Sequence, residues 1–250
     1  MLEKIFWSEG RRVELISGPY RHRIILVCSS GGRQQAIFKN GPNRYFCYLE
    51  LVDSEGKWTE EGTAIVPVLP DGRLVMIVEQ RPPEGRYSDR PMVARIGGKD
   101  VDLGIFGKDS SLEFPGGAIE PGEGVRSGFL RELVEETGVE ESQKSTLYLC
   151  TRPVYPFGSD ISIRNRIGVI FLSGLYLPDR VDNDGGLRVF SLSEEEVEEN
   201  IMNGIVHSGQ AGIIPFAFFE KVRRLMVDSS YREKITNRGY ISIEKVTVKK

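Results

Sequence analysis

A chain of 250 residues with 36 acidic and 33 basic side chains, but only two histidines and three cysteines, suits one large domain or two small ones. Apolar residues at 40% and charged residues at 28% can fill a core, which excludes a disordered or fibrous chain. The formal net charge of −3 gives little long-range pull on phosphate polymers, so no nucleic-acid partner is expected.

The cysteines Cys28, Cys47 and Cys150 are scattered and odd in number, which argues against a disulfide framework and a structural zinc site. The first residues carry Glu3 and Glu9 and no signal-like apolar stretch. The longest apolar tract, 168–177, is too short and glycine-rich to span a bilayer. A cytoplasmic protein without a membrane partner is expected.

Strand-like runs fall at 13–16, 22–28, 33–38 and 44–52, with Gly31-Gly32 and Gly41-Pro42-Asn43 between them as hairpin turns. They predict a small antiparallel β domain over residues 1–56. Further strands are expected at 63–69 and 74–79, around the turn Pro70-Asp71-Gly72. Residues 81–111 show no sustained periodicity and predict a long surface excursion with a short hairpin near 92–96. A strand at 112–114, a loop at 115–124 and a helix over 125–137 stopped by Gly138 follow. Strands are expected at 145–152, 163–173 and 187–190. Ser193 and Glu196 form a capping box ahead of a helix through Ile201, and a longer helix covers 210–227. Residues 194–199 predict a solvated acidic face over a stripe of Val197, Ile201 and Ile205. The tail 229–250 carries a weak strand signal.

The chemistry sits in the loop and helix from Gly117 to Val139. At 3.6 residues per turn, Glu132 and Glu136 are one turn apart with Glu135 beside them, so three carboxylates share one sector of roughly 100°. Leu130, Leu133 and Val134 point away toward a core. Ionised carboxylates about 6 Å apart repel by on the order of 3 kcal/mol per pair at an effective dielectric near 20, and a divalent cation relieves that conflict. Hard oxygen donors select Mg²⁺ or Mn²⁺ over zinc, in keeping with the scarcity of His and Cys. Such cations serve phosphoryl chemistry by neutralising charge and activating water. The loop glycines allow tight turns and close approach to a ligand.

Gly117-x5-Glu123-x7-Arg131-Glu132-Leu133-x-Glu135-Glu136-x-Gly138-Val139 resembles the Nudix box at every defined position. Chance occurrence in a chain this long is on the order of 10⁻⁷ from average residue frequencies. The resemblance implies a Nudix α/β/α sandwich with a mixed sheet over residues 57–228, preceded by the small β domain and followed by the tail. It implies hydrolysis of a nucleoside diphosphate linked to another moiety. On matching positions it implies metal ligation by Glu132, Glu135, Glu136 and the Gly116 carbonyl, with Glu123 and Arg131 bracing the loop against the helix.

Outside the box, the strand ending Glu79-Gln80-Arg81 is similar to one in ADP-ribose pyrophosphatases that ends Gln-Tyr-Arg, here without the Tyr. Arg81 is a candidate phosphate grip, or an arginine at a strand end facing water. ADP-ribose pyrophosphatases also resemble this chain in carrying an N-terminal β domain, which implies a homodimer whose N-terminal part helps shape the substrate pocket. Phe46, Tyr48 and Trp58 are candidates for stacking on adenine, or members of a core. Asp160, after Pro153 and Pro156, sits where that group places a loop acid acting as base or ligand; an Asx turn is the alternative. Glu113 and Gly117 border the loop and are candidates for substrate contact, although strand alternation leaves the direction of Glu113 open. His22 and His207 have no partner at ligand spacing.

The expected activity is Mg²⁺- or Mn²⁺-dependent cleavage of ADP-ribose or a similar sugar nucleotide into a nucleoside monophosphate and a sugar phosphate. A water oriented by Glu135 or Asp160 attacks in line while Arg81 balances charge. Alternatives are another nucleotide, such as a dinucleoside polyphosphate or NADH, or a Nudix module that senses a nucleotide without cleaving it.

Overall fold

The computed structural model describes the backbone of residues 4–7, 11–16, 22–27, 34–39 and 45–52, and residues 61–80, 91–107, 110–120, 122–139, 144–154, 164–174, 188–206 and 208–248, with the side chains of 61, 80, 164, 209 and 210 left aside. The expectations for Trp58, Arg81, Asp160 and His207 lie outside the described residues, as do those for the side chains of His22, Phe46 and Tyr48. The chain divides into two compact units, Met1–Gly62 with Val154–Asn165, and Thr63–Pro153 with Arg166–Lys250.

In the first unit β1 (Lys4–Trp7), β2 (Arg11–Ile16), β3 (His22–Val27), β4 (Gln34–Lys39) and β5 (Tyr45–Val52) pair in that order. Every ladder is antiparallel, and the β4–β5 register shifts between Ala36 and Phe38.

The second unit is an α/β fold. Its elements are β6 (Glu61–Val68), β7 (Leu74–Gln80), β8 (Val93–Ile96), β9 (Lys99–Asp102), β10 (Ser110–Glu113), α1 (Val125–Thr137), β11 (Ser145–Cys150), β12 (Arg164–Phe171), β13 (Arg188–Leu192), α2 (Glu194–Met202), α3 (Ile214–Val227), α4 (Ser229–Asn237) and β14 (Ile241–Val246). A seven-stranded mixed sheet runs β10-β7-β6-β12-β11-β14, with β13 also paired to β7.

The period of two along the strands decides which helix each face receives. Ile65, Val75 and Ile77 join Phe129, Leu133 and Val134 of α1 in one core. Val66, Val68, Leu74, Met76 and Val78 join Val197 of α2 and Phe216, Phe219, Val222 and Leu225 of α3 in the other. The sheet is thus sandwiched between α1 and the α2–α3 pair. Phe129 and Leu133 are 1% and 0% exposed, and burial of each such side chain is worth about 1.5–3 kcal/mol. The Phe129 ring sits so close to β12 that a Cβ on Gly168 would lie 2.7 Å from it.

Helix α1 begins and ends where the sequence places it. Gly138, at φ 67°, adopts the left-handed conformation and donates its N–H to the Val134 carbonyl. The capping box of α2 is complete: the Ser193 hydroxyl accepts from Glu196 N, and Glu196 Oε2 accepts from Ser193 N.

The hairpin expected near 92–96 and the strand signal in the tail are both present in more extensive form, and the acidic run of α2 departs from expectation. Residues 93–102 within the 81–111 stretch are an antiparallel hairpin of β8 and β9, followed by a 3₁₀ turn at Leu103–Phe106 capped by Asp102. Buried Asn200 of α2 holds that hairpin, accepting from Arg95 N at 2.7 Å and donating to Arg95 O at 2.8 Å. The acidic run of α2 is therefore not simply solvated: Glu196 Oε1 accepts the Gly98 N–H at 2.6 Å, and Glu194 pairs with Arg223. Last, the tail forms α4 and β14, and β14 extends the sheet by pairing antiparallel with β11.

Asn200→Ala removes both hairpin bonds and leaves a buried N–H and C=O unmatched. It is expected to destabilise the protein by about 2–3 kcal/mol in urea unfolding, with faster amide exchange at Arg95. Unchanged stability and exchange would show that Asn200 does not pin the hairpin.

Candidate active site

Strand β10 delivers the chain to Phe114, whose N–H is held by the Ala211 carbonyl at 2.6 Å. The chain then passes along β6, where Ile65 N donates to Pro115 O at 2.8 Å and Thr63 N to Gly117 O at 2.7 Å. After the turn at Gly122, with φ 82°, it enters α1, which brings Glu132 back against Gly117 and Glu136 against Gly116. A Cβ on Gly117 would lie 2.5 Å from the carboxylate of Glu132, so a larger residue there would have to push that carboxylate aside.

Arg131 is the hub. Its Nε and Nη2 grip the two oxygens of Glu123 at 3.1 and 3.0 Å, Nη2 also donates to Ala118 O at 2.8 Å, and Nη1 donates to Glu132 Oε1 at 2.8 Å and Glu135 Oε2 at 2.9 Å. These bonds engage the whole donor fork of a guanidinium. The Glu123 pairing is bidentate, the strong geometry for Arg and carboxylate. Glu123 also accepts from Glu120 N at 3.0 Å, and the Arg131 hydrogen bonds hold its carboxyl below the usual range. Glu123 and Arg131 therefore tie loop to helix, as the box resemblance implies.

The three helix acids are unequal. Glu135 is 58% exposed, while the Glu132 side chain is 12% exposed. Burial pushes the Glu132 carboxyl up despite Arg131. Glu136 faces inward, accepts the Gly116 N–H at 2.7 Å and is pushed up to about 8, first by burial, then by the charges of Glu79, Glu132 and Glu113, against the lowering effect of the Gly116 amide.

Glu79 and Glu113 come from the sheet. The ladder pairs Ser111 with Glu79 and Glu113 with Ile77, which places both acids on the face that carries Ile77 and receives α1. Glu113 is 1% exposed and its charge helps to raise Glu136, so its side chain belongs to the interior of the site. Alternation with Val75 and Ile77 could have pointed to Glu79; nothing local in the sequence pointed to Thr63, which backs the loop from β6.

Residues 59–202 match the NUDIX domain family. The chain belongs to the Nudix family. Its domain is a catalytic Nudix hydrolase domain, a pyrophosphohydrolase that acts on acid anhydrides in phosphorus-containing compounds. No curated protein matches the chain. Among solved structures, the "Crystal structure of ADP compounds hydrolase" aligns at 17% identity over 96% of this chain and 94% of its own, with a TM-score of 0.45. A second is described as "Structure and function analysis of MutT from the psychrofile fish pathogen Aliivibrio salmonicida and the mesophile Vibrio cholerae". It aligns at 16% identity over 59% of this chain and 97% of its own, with a TM-score of 0.32.

Nudix enzymes generally work with a divalent cation. Among the described residues, no group of three or more His, Cys, Asp or Glu side chains stands gathered to hold one. The physical reason is visible in the bonds above: Arg131 draws Glu132 and Glu135 to itself, and Glu136 turns to Gly116 N. The donor set nevertheless fits a hard cation. It offers carboxylate oxygens on one helix face, a glycine backbone at contact distance, and a half-buried Glu136 whose carboxyl is raised by Glu79, Glu132 and Glu113. Among the described residues no helix is long and apolar enough to cross a membrane.

The raised Glu136 group has a pH consequence. A carboxyl that titrates near 8 when folded and near 4.5 when unfolded favours folding fully below about pH 4.5, and that contribution is lost as pH rises toward 8. In EDTA, wild-type protein is expected to lose stability across this window relative to Glu136→Gln, with a slope approaching about 1.4 kcal/mol per pH unit. Urea midpoints from pH 5 to 8 measure it, and parallel curves for the two proteins would show that Glu136 titrates normally.

Proposed function

We propose that the protein is a Mg²⁺- or Mn²⁺-dependent hydrolase that splits the pyrophosphate of ADP-ribose or a similar sugar nucleotide into a nucleoside monophosphate and a sugar phosphate. The observation that carries the metal dependence is the seating of Glu136 on the Gly116 N–H and of Glu132 against Gly117, with Glu79 and Glu113 near enough to raise the Glu136 carboxyl. Glu132, Glu135, Glu136 and the Gly116 carbonyl would hold the cation, which when bound neutralises pyrophosphate charge and makes water a better nucleophile.

The protein's own groups carry the remaining tasks. Exposed Glu135, or Asp160 in the downstream loop, accepts the proton of the attacking water. Glu123 keeps Arg131 anchored, so the loop and helix hold their spacing while charge develops on the phosphates. Gly117 lines the floor against which the diphosphate rests, Glu113 is buried away from substrate, and Arg81 grips a phosphate. The choice of ADP-ribose rests on Gln80-Arg81, on the strands ahead of the domain and on the segment from Pro153 to Asp160. Residues 1–56 serve homodimerisation, and the enzyme works in the cytoplasm.

A panel of ADP-ribose, another sugar nucleotide, NADH and a dinucleoside polyphosphate, incubated with Mg²⁺ in ¹⁸O-labelled water, tests this. ADP-ribose is expected to react fastest, with label in one phosphate product. Glu136→Gln is expected to lower turnover at least about 100-fold while its circular dichroism is retained. Normal hydrolysis by that variant would refute the assignment of the metal site, and absence of cleavage across the panel would favour a nucleotide-sensing module.

A further inference from the structure

Thr63 stands near the start of β6 on the face covered by α1, 3% exposed, and is bound to a single residue of the loop by three hydrogen bonds. Its N–H donates to Gly117 O at 2.7 Å, its hydroxyl donates to the same carbonyl at 3.2 Å, and the hydroxyl oxygen accepts the Gly117 N–H at 3.2 Å. In a regular antiparallel pair the Gly117 N–H would go to the Thr63 carbonyl. Here that carbonyl is pressed against Gly116, where an added Cβ would fall 2.1 Å from it. The side-chain hydroxyl takes the place of the ladder acceptor, so the pairing is completed by a group that an aliphatic residue lacks.

The far side of the same two glycines touches the acids. Pro115 O and Gly117 O face β6, so the extended backbone turns the Gly116 N–H the other way, and it is found on Glu136 Oε2 at 2.7 Å. Gly117 presses on the Glu132 carboxylate, as its missing Cβ shows. One thickness of glycine backbone therefore separates Thr63 from both carboxylates.

We infer that Thr63 is a positioning residue for the metal-binding carboxylates, its hydroxyl setting the Gly116–Gly117 peptide and, through it, Glu136 by hydrogen bond and Glu132 by contact. This rests on the metal-dependent function proposed above. A threonine suits the task because its branched Cβ restricts χ1 and so fixes where the hydroxyl stands.

Mn²⁺ binding followed by electron paramagnetic resonance on the full chain tests it, with thermal unfolding in EDTA recorded for each variant. Thr63→Val, which keeps the shape and removes the hydroxyl, is expected to bind Mn²⁺ on the order of 10-fold more weakly, the usual scale for losing a group that orients a ligand. Its kcat should fall while KM for the nucleotide holds, and Thr63→Ser should recover most of both losses. Wild-type Mn²⁺ affinity in Thr63→Val, or an equal loss in Thr63→Ser, would overturn the inference. If Thr63→Val does not fold, Thr63→Cys, a weak donor, replaces it: affinity below that of Thr63→Ser supports the inference, and equal affinity overturns it. Glu136→Gln separates the two levels. If it loses Mn²⁺ while Thr63→Val keeps it, only the role of Thr63 falls; if it binds as wild type does, the metal site falls and the role of Thr63 with it.

Discussion

The C-terminal half of α1 brings Glu136 within electrostatic reach of three other carboxylates, those of Glu79, Glu132 and Glu113, each of which raises it. Glu113 is buried, Glu79, Glu132 and Glu136 are half-buried, and the Arg131 guanidinium reaches Glu132 and Glu135 but not Glu136. Burial disfavours ionisation there, and mutual repulsion adds to it, which is why Glu136 is pushed up to about 8. An arginine satisfies this crowding only in part, because its donor fork is already divided among Glu123, Ala118, Glu132 and Glu135. Glu136 is left to a backbone amide. A bound cation would relieve this repulsion, as the function proposed above requires.

The rest of the second unit serves to hold that crowding in place. Alternation along β7 puts Val75 and Ile77 into the core under α1, and Glu79 continues on the same face beyond the apolar pair. The ladder with β10 sets Glu113 opposite Ile77 on that same face. Phe129 and Leu133 anchor α1 over this face, so the helix acids are carried inward by apolar burial rather than by attraction. Gly116 and Gly117 allow the loop to pass between β6 and the carboxylates at backbone thickness. The opposite face, packed by α2 and α3, carries none of this chemistry, but it pins the β8–β9 hairpin through Asn200 and Glu196.

What could be read in the sequence was what depends on near neighbours along the chain. The bounds of α1, its Gly138 stop, the capping box at Ser193 and the clustering of Glu132, Glu135 and Glu136 all follow from spacing within one or two turns. The pairing of Glu123 with Arg131 was available only through the box resemblance, since eight residues of loop and helix intervene. Contacts made across the sheet were not legible. Glu79 is an ordinary strand residue until the β7–β10 register sets it near Glu136, and Thr63 carries no local signal because its partner lies 54 residues away. The hairpin at 93–102 is short and charged, and its hold on α2 depends on Asn200, 105 residues from Arg95. The difference in exposure between Glu135 and Glu136 likewise depends on what the sheet places under the helix.

The central claim is that this acidic interior is completed by a divalent cation, and thermal unfolding at pH 8 in EDTA and in Mg²⁺ tests it most directly. Because a ligand that binds only the folded state stabilises it by RT ln(1 + [L]/Kd), Mg²⁺ is predicted to raise Tm for the wild type and to leave a Glu132→Gln, Glu136→Gln double variant unmoved. No rise in the wild type, or the same rise in the double variant, would contradict the account.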